Sequence, residues 1–303
     1  MSVPDSRRRL SSSALKLAAI AVLCVGGANS AAAANDCSLN GIYGGRKCDC
    51  DAPWTGPRCE TISTALAAPG GMYGVSPNVS SWGGSVLRAN DGKFHLWAAQ
   101  MKHGGLVGWA TNSECIHATS TNISGPYSFA EIAVPVWCHG PQVVRQPGGA
   151  LLMVHTQKPF MHHAATVDGP WLPAKTNPGA CGMPCQALHP NGTLFVVCGN
   201  GRAITRTATA VSAAAPAWEQ RWTAQRPLHP AGEQGNWEDP DLFFDRRGNF
   251  HIIYHVYSLA PFSAQQERCS GHGYSKVLTT PCCCPLLCLP CPAPPPPPLP
   301  PTP

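Results

Sequence analysis

Four stretches of this chain repeat one pattern, and that repeat limits the fold more than any other feature. They are "WGGSVLRANDGKFHLWAAQM" (82–101), "HGPQVVRQPGGALLMVHTQ" (139–157), "PCQALHPNGTLFVVCGNGR" (184–202) and "EDPDLFFDRRGNFHIIYHVYS" (238–258). Each begins at a small or proline residue. A short apolar strand, a polar turn with glycine and a longer apolar strand follow. The turns are "ANDGK", "QPGGA", "HPNGT" and "DRRGN". Asn-Gly or Asp-Gly between apolar runs is the strongest short-range hairpin signal, because both tolerate positive φ. The repeats begin 45 to 57 residues apart, a spacing that suits propeller blades.

Further strand and turn pieces lie between the repeats. "IHATSTNISGPYSF" (116–129) and "HAATVDGPWLP" (163–173) share an Ala-Thr, Gly-Pro-aromatic form and would supply the outer strands of the first two blades. A β-sandwich would not explain a repeated inner hairpin followed by a repeated Gly-Pro-aromatic element. Gly and Pro are abundant and only 12% of residues are charged, in keeping with a β-rich, turn-rich chain. Over residues 72–276 this arrangement resembles the five-bladed propellers of glycoside hydrolase family 43, with "EDPDLFFDRRGNFHIIYH" the most specific piece. The expected fold is all-β, a small disulfide-rich module followed by an incomplete five-bladed β-propeller over 61–280. Four inner hairpins are visible where the family has five.

The resemblance implies an inverting mechanism with two opposed carboxylates, one a general base and one a general acid, on innermost strands of the first three blades. This sequence departs at each position. The first blade opens with Trp82, the second with His139, and the third, "GMPCQAL", has no Glu. Only the fourth carries acids, Glu238, Asp239 and Asp241. Glu238 and Asp239 are therefore the candidate catalytic residues. Trp82, His139, Trp237 and Asp241 are the candidate sugar-binding set, since an indole face and carboxylates suit a sugar ring and its hydroxyls. An Asp-Pro at the start of a strand also caps turns, so Asp239 has a purely structural reading as well. His95, His155, His251 and His255 are read as half-buried packing residues. No metal and no cofactor is expected. Three functions are compatible with this site: carbohydrate recognition, hydrolysis by relocated acids, or adhesion through the N-terminal module.

That module is "CSLNGIYGGRKCDCDAPWTGPRCE" (37–60). Its C-x-C spacing fits poorly with the C-x(2–4)-C knuckles of structural zinc sites. The run C-x-C-x(2)-P-W-x-G-x(2)-C from Cys48 to Cys59 resembles the second half of an EGF-like domain, which assigns 35–60 to such a domain. The resemblance implies the bonds Cys37–Cys48 and Cys50–Cys59, places Tyr43 where the family has its third cysteine, and expects positive φ at Gly56. Cys115 and Cys138 bracket the outer part of the first blade and are expected to tie it to the second. Cys181, Cys185, Cys198 and Cys269 leave three connectivities open.

Residues 1–34 read as a secretory signal: "RRR" at 7–9, an apolar run from Ala14, and "ANSAAAA" before cleavage after Ala34. The apolar run is shorter than the ~20 residues a span needs. Removal of Arg7, Arg8, Arg9, Lys16 and Asp5 lowers the formal charge from +5 to +2. No basic cluster remains for nucleic acid. The expected partner is a carbohydrate or glycoprotein, with membrane contact only through the cleaved segment. Export agrees with sixteen cysteines and with glycosylation sequons at Asn78, Asn122 and Asn191. The tail, 281–303, is Pro- and Cys-rich and of low complexity, and is expected to mark a truncated or mis-assembled coding sequence or else a proline-rich wall anchor.

Overall fold

The computed structural model describes residues 36–63, 73, 78–103, 105–199, 203–228, 236–257 and 268–276. The expected signal segment and the Pro/Cys-rich tail lie outside these residues. The N-terminal unit holds β1 (Gly41–Tyr43), β2 (Cys48–Cys50), β3 (Trp54–Thr55) and β4 (Thr61–Ile62), paired β1–β2 and β3–β4. Its disulfides are Cys37–Cys48 and Cys50–Cys59, the pairing the sequence implied. Gly56 has φ +94°, and a Cβ there would sit 2.8 Å from the Glu60 carboxylate.

The remaining strands form four antiparallel sheets among the described residues. The first blade runs β5 (Ser80–Arg88), β6 (Phe94–Met101), β7 (Ser113–Ser120) and β8 (Ser128–Val134). The second runs β9 (Gln142–Arg145), β10 (Leu151–Val154), β11 (Met161–Ala164) and β12 (Leu172–Pro173). The third runs β13 (Pro184–Leu188), β14 (Leu194–Cys198), β15 (Ala203–Arg206) and β16 (Arg226–Pro227). The fourth has β17 (Asn236–Phe244), β18 (Phe250–Tyr257) and β19 (Arg268–Ser275). Each predicted glycine turn joins the first two strands of a blade. The inner strands β5, β9, β13 and β17 lie side by side in that order, which is a propeller arrangement. The third strand of the last blade spans eight residues, like its counterpart β7. No helix among the described residues is long and apolar enough to cross a membrane.

The core lies between blades. Leu151 and Met153 pack toward Trp97 and the Cys115–Cys138 disulfide of the first blade. Leu152 and Val154, on the other face of β10, pack toward Leu194, Val196 and Cys198 of the third. A strand covered on both faces needs no polar alternation, and "LLMV" shows none. Cys185, Phe195 and Val197 then meet Leu242, Phe250, Ile252 and Tyr254 of the fourth blade. Cys181 pairs with Cys198, one of the connectivities left open by the sequence, and Cys185 is a free, buried thiol.

Three buried histidine pairs cross-link neighbouring strands: His95 to His117 (2.8 Å), His155 to His162 (2.9 Å) and His251 to His272 (3.1 Å). The expectation of half-buried packing residues is thus corrected for His95, His155 and His251, which are buried and hydrogen-bonded. An imidazole is expensive to bury unless its nitrogens are paired, and each ring here supplies part of its neighbour's need. His255 is half-buried and faces Glu238 at 3.6 Å.

The N-terminal unit packs on the fourth blade. Arg247, in the turn before β18, reaches the Leu39 carbonyl at 2.7 Å and the Asp51 carboxylate at 2.6 Å. The Trp54 ring lies 4.6 Å from that of His272, and the Tyr274 hydroxyl donates to Asp36. Trp54 thus contacts the propeller as well as lying within its own disulfide loop.

One backbone feature recurs in each of the four described blades. A left-handed residue stands just before β9 and β13, at Gly140 (φ +60°) and Met183 (φ +47°), and within β5 and β17, at Gly83 (φ +57°) and Asp239 (φ +49°). Gly84, Pro141, Pro184 and Pro240 follow them in turn. In β5 and β17 the step produces a bulge, between Trp82 and Ser85 and between Glu238 and Asp241. A bulge bends its strand and re-aims side chains. Gly84, at φ +136°, also lies so close to the next strand that a Cβ would sit 2.5 Å from the Trp97 carbonyl oxygen. A Cβ on Gly140 would meet nothing nearer than 3.8 Å. Gly140→Ala is therefore expected to cost only the left-handed backbone penalty, about 1 kcal/mol. Gly84→Ala adds a backbone clash and should cost about 3 kcal/mol or more. Urea unfolding of the two variants checks the ranking.

Candidate functional site

The four left-handed steps meet around a central cavity of about 730 Å³. Its wall takes Ser81 to Val86 from the first blade and His139, Gly140, Gln142 to Val144 and Thr156 from the second. Met183, Pro184 and Gln186 come from the third, and Asp239, Pro240 and Asp241 from the fourth. Of the residues singled out from sequence, Trp82, His139, Asp239 and Asp241 are brought together here. Glu238 is not in the wall; the bulge separates it from Asp241, and it faces His255 instead. Trp237 is described by its backbone alone, opposite Val256 in the β17–β18 pair.

Asp239 and Asp241 both open onto the cavity. Burial raises the pKa of Asp239 above the ordinary carboxylate range, offset in part by His255 and by the Trp82 indole N–H that donates toward it. Burial likewise raises Asp241. The two acids stand on one strand, so they form a single wall. The facing walls hold Trp82, His139, Met183 and Gln186, and no further carboxylate appears in the lining.

The tautomer of His139 follows from its neighbours. The Ser113 hydroxyl donates its one proton to the Trp109 carbonyl at 2.7 Å. Ser113 Oγ also lies 2.8 Å from His139 Nδ1, so that nitrogen must be the donor between them. Burial pushes the His139 pKa down to about 4, and the ring is neutral near pH 7. Nδ1 then carries the proton and Nε2 keeps a free lone pair. Gln186 is used in a comparable way. Its amide N–H groups donate to the carbonyls of Gln142 (2.6 Å) and Leu152 (2.8 Å). Its Oε1 has no partner among the described residues. Sequence reasoning passed over Gln186, Gln142 and Thr156; their only signal was position just after the left-handed step or at the end of the second strand.

One group could hold a cation. Ligand atoms of Glu238, Asp239 and His255 all lie within 4.8 Å of one another. Two carboxylates and an imidazole are a donor set for a hard or borderline divalent ion. The expectation that the chain has no metal ligands did not include this juxtaposition. The cysteines at 37, 48 and 59 also lie close together, but they are consumed in disulfides.

No protein-family model matches this chain, and no curated protein matches it. Among solved structures, similarity is found to a thermostable family-43 glycoside hydrolase at 12% identity, over 72% of this chain and 74% of that one, with TM-score 0.46. A family-43 β-1,3-galactosidase with galactodeoxynojirimycin is 13% identical over 67% of this chain and 77% of that one, TM-score 0.48. A fructofuranosidase from Schwanniomyces occidentalis complexed with fructose is 13% identical over 67% of this chain, TM-score 0.49; the match spans 45% of that protein.

The buried imidazoles make stability depend on pH. Burial depresses His117, His139 and His162 to about 4 and His155 and His272 to about 3. Between those values and the unfolded value near 6.5, the unfolded chain binds more protons than the folded one. Stability therefore rises with pH across this window and is lost as pH falls from about 6.5 toward 4. The raised carboxylates Asp239 and Asp241 act in the opposite sense. At pH 5 the loss is about 2 kcal/mol for a histidine that titrates independently, and less for one sharing its proton with a paired ring. The urea midpoint should drop clearly between pH 7 and pH 5; an unchanged midpoint would contradict the buried, neutral assignment.

Proposed function

We propose that this is an extracellular protein that recognises carbohydrate through the central cavity, with an EGF-like N-terminal module braced against the last blade. The observation that carries the reading is the chemistry of the cavity wall. Its polar lining combines the carboxylates of Asp239 and Asp241, the His139 imidazole with Nε2 as an acceptor, and the hydroxyl groups of Ser81, Ser85 and Thr156. The Trp82 N–H is directed to Asp239, which leaves the indole ring face as its contribution to the cavity. Carboxylates, an imidazole acceptor and hydroxyls beside an aromatic face suit a neutral ligand that carries many hydroxyls and an apolar C–H face, which is a sugar.

Recognition is favoured over hydrolysis because both acids share one wall. Glycoside cleavage needs carboxyl groups on either side of the scissile bond, separated by roughly 5–5.5 or 6.5–9.5 Å according to stereochemistry. The raised pKa of Asp239 and Asp241 is the one feature that favours an acid catalyst. A glycan array combined with a hydrolysis screen on plant and algal polysaccharides tests both readings. Binding should fall at least tenfold in Asp239→Asn and in Trp82→Ala, with no reducing sugar released. Reducing sugar lost in Asp239→Asn or Asp241→Asn would establish the hydrolase instead. Absence of any glycan binding would overturn the carbohydrate reading and favour adhesion through the N-terminal module.

The extracellular assignment is supported by four disulfides among the described residues, too many for a reducing compartment. It is also supported by the sequons. Asn78, Asn122 and Asn191 are exposed, and Asn122 and Asn191 use only Oδ1, accepting from Ser124 and Thr193 N–H at 3.0 Å each. Their Nδ2 atoms are the ones a glycan would modify. Expression through a eukaryotic secretory route should give a mass that falls on enzymatic deglycosylation, with smaller shifts in Asn122→Gln and Asn191→Gln.

A further inference from the structure

Beside the cavity lies a second aromatic surface that the reading above does not use. The connection between β6 and β7 forms a 3-10 turn, Gly105–Gly108, followed by one helical turn, Trp109–Asn112. It stands next to the segment between β8 and β9 that carries Val136, Trp137 and His139. Trp109 is 39% exposed, Val136 51% and Trp137 54%. A tryptophan is usually held in the core, and two exposed together need an explanation.

Both rings are fixed in place. The Trp137 indole N–H donates to the Thr111 carbonyl at 2.9 Å, so its polar edge is satisfied and its faces remain. The Trp109 ring lies 5.1 Å from that of His139, and the Trp109 carbonyl takes the Ser113 hydroxyl bond that also orients His139. The Cys115–Cys138 disulfide lies at the base of both segments, adjacent in sequence to Trp137 and His139. The surface is therefore preorganised, and it is continuous with the cavity, because His139 lines that cavity on its other side. Neither Trp109, Val136 nor Trp137 has a charged side chain beside it in sequence.

We propose that Trp109 and Trp137 form a stacking shelf for the further units of a neutral oligosaccharide whose end unit sits in the cavity. This rests on the carbohydrate reading of the cavity and extends it: the ligand is a chain of several units rather than a single sugar. Flat, uncharged rings, one of them with its N–H bonded to the main chain, offer the apolar C–H face of a pyranose a partner. A lipid surface would use the same apolar area without regard to chain length, and so gives a different result in the test.

The probes are xylo- and cello-oligosaccharides of one to six units, with phosphatidylcholine vesicles as a separate arm. They are titrated against the full-length secreted protein, Trp109→Ala, Trp137→Ala, the conservative Trp109→Tyr and Trp137→Phe, and Asp239→Asn. In the wild type, affinity should rise about tenfold from two units to five or six. Each alanine variant should lose most of that rise while keeping wild-type affinity for one and two units. The aromatic variants should restore it, which excludes misfolding as the cause. Asp239→Asn should weaken every length alike. A length-dependent rise that survives both alanine variants overturns the shelf, as does short-sugar binding with no length dependence; in both cases the cavity reading stands. Vesicle binding that disappears in the alanine variants also overturns the shelf, in favour of a lipid surface. Failure of every probe to bind the wild type overturns the shelf and the cavity reading together.

Discussion

The cavity depends on a left-handed residue just before or within the first half of the inner strand in each of the four described blades. The left-handed step bends the strand, and residues on either side of it line the cavity. Glycine takes this conformation at little cost, and two blades use it, at 83 and 140. The other two use Met183 and Asp239, side chains for which the same φ costs on the order of 1–2 kcal/mol. Strain of this kind persists only when surrounding structure fixes it. Here a proline follows each strained residue, and the strand beyond is locked into its blade by ladder bonds and interblade packing.

Several polar side chains inside the blades, away from the cavity, bond one another or the main chain. The histidine pairs bond ring to ring, and the Thr205 hydroxyl donates to the Thr223 carbonyl. At the cavity wall, His139 donates from Nδ1 to Ser113 and keeps Nε2 as an acceptor. The N-terminal unit, through its contacts with Arg247, His272 and Tyr274, packs on the face of the last blade that points away from the third, and contributes no residue to the cavity lining.

Much of the blade architecture was legible because it is local. The turns at 89–93, 146–150, 189–193 and 245–249 announce hairpins through glycine and asparagine chemistry, and all four appear. The disulfides of the N-terminal unit were legible through the resemblance of its C-x-C-x(2)-P-W-x-G-x(2)-C run to an EGF-like domain, which implied both bonds. The site was legible in part: Trp82, His139, Asp239 and Asp241 stand at repeat positions and converge, while Glu238 is turned away by a bulge that no single residue type announces. Contacts between distant segments were not legible. Arg247 meets Asp51 across 196 positions, and nothing in "DRRGN" says which carboxylate it will find. The histidines looked like scattered packing residues because their partners lie on the neighbouring strand, 7 to 22 positions away.

The direction of the hydrogen bonds around Ser113 joins the cavity to the surface beside it. Ser113 has one proton and gives it to the Trp109 carbonyl; in consequence it can only accept from His139. The helical turn that carries Trp109 therefore determines which nitrogen of His139 is left with a lone pair. Were that turn to move, Ser113 would be free to donate to His139, the proton would shift to Nε2, and an acceptor in the cavity wall would become a donor. The shelf and the cavity are in this sense joined: the main-chain carbonyl at position 109, which any side chain there retains, fixes the hydrogen-bonding character of a buried imidazole, and a saccharide chain lying across both would read them together.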